Sequence, residues 1–152
     1  MSKQEEAELI LKLYDLRREA VMRDARNWFF SFNPTNIQDF VDTMFHEKNS
    51  AYYRMVVSYW EMAATLVNHG AIDEHMFNEA NGEHLFVYGK IEPFIPAIKE
   101  RFKTPEYLPN LEKLVLRMPN IQERLTQMRE RMKEIAALRA QMAQKSQAAA
   151  GD

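Results

Sequence analysis

Between Ala51 and Asn68 the chain places Arg54, Ser58, Glu61, Thr65 and Asn68 at spacings of four, three, four and three, and fills every position between them with an aromatic or aliphatic side chain. That period is the period of an α-helix, and a helix with one narrow polar stripe has neighbours on most of its sides. The stretch of about 51–69 is therefore predicted as a central buried helix, and the rest of the chain must supply what surrounds it. Four glycines and six prolines are spread over 152 residues, and no run of Val, Ile or Thr alternates with polar residues for the length of a strand. The fold class is all-α: a multi-helix bundle in which long amphipathic N- and C-terminal helices flank the central one.

Residues 4–30 space Leu9, Leu13, Leu16 and Ala20 by four, three and four, with Ile10, Tyr14 and Val21 widening the face, which predicts one long helix ended at Pro34. Thr35 or Asn36 can cap a short second helix. Asn49 or Ser50 can cap the central helix, which Gly70 closes. A fourth helix begins near Asp73 and stops before Asn81 and Gly82. In "EHLFVYGKIEPFIPAIKERF" the prolines Pro93 and Pro96 remove amide donors, so the helix restarts near Ile91 with Pro93 in its first turn. "TPEYLPN" is a loop before a short helix at 111–118, and Asn120 with Glu123 reads as a capping pair for the last helix, about 120–145. One helical domain over 1–145 results, with a frayed tail at 146–152.

A chain with 46% hydrophobic residues has material for a core. It has no cysteine, which excludes disulfides, thiolate nucleophiles and cysteine-ligated clusters and suits a reducing cytoplasm. The N-terminal stretch lacks the unbroken apolar centre of a secretory signal, and the most apolar run, 51–67, contains Arg54 and Glu61, so no membrane span is expected. Net charge is 0 over residues 1–30, −4 over 31–119 and +2 over 120–152, too weak a contrast for a nucleic-acid surface. "IDEHMFNEANGEHLFVYGK" has the outline of a helix-turn-helix, but its second piece carries Lys90 as its one base and belongs in a core.

Glu61 is the anomaly of the central helix. Either the stripe Arg54, Ser58, Glu61, Thr65 and His69 is structural, facing water or meeting basic groups of a neighbouring helix, or it forms a small-molecule or metal site with Asp73 and His75. The chain has no Glu-x-x-His for a di-iron bundle, no His-Glu-x-x-His for zinc, no Gly-x-Ser-x-Gly elbow and no glycine-rich phosphate loop. These absences point away from an enzyme, and no cofactor is implied.

Glu61, Ala64, Gly70, Ile72 and Asp73 in "EMAATLVNHGAID", followed by an aromatic helix, "EPFIPAIKERF" and "TPEYLPNLEKL", resemble a family of uncharacterised bacterial helical proteins defined only as a domain of unknown function. The resemblance covers about residues 36–118. It implies a bacterial origin and an all-helical fold, and it carries over no activity, catalytic residue or cofactor.

Beyond that segment, Ile121, Leu125, Met128, Met132, Ile135 and Met142 follow a heptad seam interrupted at Arg139, with Leu138 beside the break. Methionine suits an adaptable contact surface. The seam packs either within its own chain or against another, and Glu123, Glu130 and Glu134 dilute its attraction to anionic lipid. The sequence thus describes a helical protein-interaction or structural module whose partner is another protein or a second copy.

Overall fold

A computed structural model describes residues 2–151. Its helices run α1 (Lys3–Arg17), α2 (Ala20–Ser31), α3 (Ile37–Phe45), α4 (Glu47–Asn68), α5 (Glu74–Ala80), α6 (Glu83–Ile91), α7 (Ile95–Arg101), α8 (Pro109–Leu116) and α9 (Ile121–Ala150), with a 3-10 turn, Glu92–Phe94, before α7. No strand occurs among the described residues, and the fold is all-α. One compact unit extends to Met118 and a second begins at Pro119.

Within the first unit α4 is the axis, packed against α2, α3, α5 and α8. Tyr53, Trp60, Ala63 and Ala64 lie inside it, as the apolar pattern predicts. The helix starts earlier than Asn49 or Ser50, because His46 caps it through Nδ1, which accepts from the Asn49 amide at 3.1 Å. It closes at Gly70, whose φ of +79° is a left-handed conformation that costs a side-chain-bearing residue energy and glycine little.

The N-terminal segment is two helices rather than one. Glu19 leaves the helical conformation at φ −58° and ψ 144°, and its carboxylate accepts from the Val21 and Met22 amides, stopping α1 and starting α2. Neither glycine nor proline marks the break, so periodicity ran straight through it. The buried face is rotated accordingly: Ile10 and Leu13 of α1 and Met22, Ala25 and Phe29 of α2 are inside, whereas Leu16, Ala20 and Val21 are exposed. Arg17 and Arg26 are nine residues apart, which on one continuous helix is about 13 Å along the axis. The break lets both reach Glu83, Arg26 Nε at 3.0 Å and Arg17 Nη1 at 3.6 Å.

The restart after α6 occurs as predicted, with Pro93 in the first turn of the 3-10 segment and Pro96 in the first turn of α7. Asn36 caps α3 and Asp73 caps α5. In the second unit, α9 is unbroken through Ala150, consistent with the alanines and Gln147 of its last turn, which favour helix. The capping pair at its start does not form. Asn120 has φ 55° and ψ 34° and makes no side-chain cap, because side-chain capping belongs to an extended backbone at that position. Glu123 accepts instead from Gln127 Nε2 at 3.4 Å.

Candidate functional site

The polar stripe of α4 meets the start of α8. That helix opens at Leu108 in a left-handed conformation followed by Pro109, and no side chain of its own segment caps it. The first-turn amides of any helix need acceptors from elsewhere. Glu61 supplies them: Oε2 accepts from the Leu111 amide at 2.8 Å, and Oε1 accepts from the Asn110 amide at 2.9 Å and from Asn110 Nδ2 at 3.1 Å. Two turns along the stripe, Asn68 Nδ2 donates to the Asn110 carbonyl at 3.0 Å. Glu61 is thus matched to the positive end of a helix dipole, where a basic side chain was expected.

The other stripe residues bond within α4 or face the surface. Thr65 Oγ1 donates to the Glu61 carbonyl at 2.9 Å, while Arg54 and Ser58 are exposed, with the Ser58 hydroxyl donating to the Arg54 carbonyl. His69 is an exposed C-terminal cap of α4. Asp73 caps α5 by accepting from the Met76 amide at 2.9 Å, which holds its carboxyl below the usual range, and Lys3 lies 3.6 Å away. His75 is exposed and pairs with Glu79 one turn on. Glu61 and Asn68 therefore converge on α8, Thr65 bonds back within α4, and His69 and His75 each have separate surface roles. Among the described residues, no three of His, Cys, Asp and Glu are grouped to hold a metal ion.

Two further charge contacts lie elsewhere in the first unit. Lys90 is 6% exposed; its Nζ donates to the Phe29 carbonyl at 2.7 Å, at the C-terminal end of α2, and lies 4.6 Å from the centre of the Phe86 ring. An ammonium is favoured at that end of a helix for the same reason that a carboxylate is favoured at the other. Glu83 joins Arg17 and Arg26, with its side chain 10% exposed. Beside that triad the Tyr59 hydroxyl donates to the Leu13 carbonyl, and burial pushes Tyr59 up to about 12. A lone base in an apolar helix was the signal for Lys90; the Glu83 triad had none, since it depends on the break at Glu19. A surface cavity of about 300 Å³ also lies against Trp28, Phe32, Asp39 and Asp42. The Asp39 carboxylate already accepts from the Thr35 amide at 2.7 Å, which lowers its pKa.

A family model described as a domain of unknown function, DUF4760, matches residues 4–118. The chain belongs to the DUF4760 family. The match takes in α1 and α2, which the resemblance over 36–118 had left outside, and with them every residue of the Glu61, Lys90 and Glu83 contacts. No curated protein and no solved structure matches the chain.

Helix α9 lies outside the DUF4760 match. From Lys133 to Ala150 all of its residues are exposed. Ile135, Leu138 and Met142 are 49%, 59% and 64% exposed, at the three- and four-residue spacings that put them on one face. Among the described residues, no helix is long and apolar enough to cross a membrane.

Proposed function

We propose that this DUF4760 protein is a non-enzymatic protein-interaction module of the bacterial cytoplasm, and that the exposed half of α9 is the surface it offers. One observation carries the proposal: eighteen consecutive helical residues, 133–150, are exposed while presenting an ordered apolar stripe. Most helical stability in proteins comes from packing an amphipathic face, and burying a Leu, Ile or Met side chain is worth about 1.5–3 kcal/mol, so a partner covering Ile135, Leu138 and Met142 stabilises both itself and the helix. Met142 and Met132 add an adaptable edge. Inside the family segment, the charged side chains Glu61, Lys90 and Glu83 serve helix ends and an ion-pair triad, which supports a scaffold role for that segment.

The test is site-specific photo-crosslinking in cells. A photo-reactive residue in place of Leu138 is expected to give a discrete adduct, and one in place of Gln144, on the opposite side of α9, none. Equal yields from the two positions, or no adduct from 138, sink the proposal.

A further inference from the structure

The charges around the stripe say what kind of partner it fits. At about 100° of rotation per residue, Arg139 lies about 40° to one side of Ile135, and Arg131 and Lys145 lie about 40° and 80° to the other. Glu134 and Glu130 fall about 100° and 140° from Ile135 on the side where Leu138 lies at about 60°, so Glu134 borders Leu138 and Glu130 lies behind the stripe. The borders of the exposed apolar face of α9 therefore carry three cations, Arg131, Arg139 and Lys145, against one carboxylate, Glu134, although the helix as a whole contains both signs more evenly.

Resting on the interaction reading above, we infer that the partner of α9 is an acidic amphipathic helix of another protein: one with large apolar residues at heptad spacing and carboxylates on its flanks. A second copy of this chain brings the same cations to the contact. In a parallel, in-register pair Arg139 takes a core position and faces its own counterpart. In an antiparallel pair centred on Leu138, Arg131 of each copy faces Lys145 of the other. Like charges so placed weaken a helix pair, and more so as they lose water.

A lipid surface fits less well. Helices that lie in a membrane interface use Trp, Phe or several Leu on the apolar side. Helix α9 has no aromatic residue, and apart from alanines its exposed apolar stripe consists of three side chains. A helix with glutamates flanking its own seam offers a carboxylate to each of Arg131, Arg139 and Lys145 and, carrying its own like charges, is equally poor at pairing with itself.

The experiment titrates full-length protein against two labelled synthetic helical peptides with one shared Ile/Leu heptad core, flanked by Glu in one and by Lys in the other, and against phosphatidylglycerol vesicles. Expected results are saturable binding of the Glu peptide that weakens with salt, at least about tenfold weaker binding of the Lys peptide, and a reversal of that preference in the Arg131→Glu/Arg139→Glu/Lys145→Glu variant. Equal affinity for both peptides, lost on Ile135→Ser/Leu138→Ser, overturns the acidic partner while leaving α9 as an interaction surface. Binding that survives Ile135→Ser/Leu138→Ser, or no binding of either peptide, overturns both. Vesicle binding that displaces the Glu peptide, or a stable homodimer by sedimentation at the same concentration, overturns the acidic helix in favour of lipid or a second copy.

Discussion

The Glu61 carboxylate accepts from the Leu111 backbone amide at 2.8 Å, so a side chain in α4 performs for α8 the capping that α8's own sequence omits. The relationship joins residues fifty positions apart and explains why a helix otherwise committed to apolar packing keeps an acid.

Removing that acid leaves the Asn110 and Leu111 amides without their acceptor. Glu61→Leu is expected to lower stability by roughly 2–3 kcal/mol, and Glu61→Gln, which keeps one acceptor oxygen and loses the charge, by about 1 kcal/mol. Urea melts check this. A Leu variant as stable as the wild type contradicts the capping role.

Lys90 tests the opposite helix end. Lys90→Met keeps the apolar stem among Phe29 and Phe86 but withdraws the donor from the Phe29 carbonyl, with an expected loss of about 1–2 kcal/mol. Lys90→Glu brings an acid to the negative end of α2 and costs more. Thermal denaturation followed by circular dichroism measures both, and the order Glu below Met below wild type is the diagnostic result.

The break between α1 and α2 is held by Glu83 bridging two arginines. Because the three side chains are largely buried, Glu83→Gln is expected to cost on the order of 2–3 kcal/mol by leaving Arg17 and Arg26 facing one another. A double-mutant cycle with Arg26→Met should show a coupling above about 1 kcal/mol. Strict additivity would mean that the triad is incidental.

Alkaline pH offers an independent check. Burial raises Tyr59 to about 12 and Tyr53 well above its ordinary value near 10, so the folded chain holds these protons more tightly than the unfolded one. The resulting stability is fully present below about pH 10 and is lost as pH rises toward 12. Tyr59 alone accounts for at most about 3 kcal/mol of it. Tyrosinate absorbance should show Tyr53 and Tyr59 ionising together with loss of helix. Tyr59→Phe should shift alkaline unfolding upward.

What the sequence determined by itself was periodic or local. The 4-3-4-3 stripe of residues 54–68 and its apolar surround named α4 as the central helix; Asn36, Gly70, Asp73 and the two prolines marked boundaries because capping, left-handed backbone and a missing amide act within a few residues. Tertiary structure decided whatever depends on a partner distant along the chain. Glu19 ends one helix and begins another, and this matters because it lets Arg17 and Arg26 share Glu83. Glu61 and Lys90 are charges whose counterparts are helix ends, and a backbone amide or carbonyl has no letter in a sequence; only the packing of α4 on α8 and the approach of Lys90 to the end of α2 show which orphaned groups these two side chains satisfy.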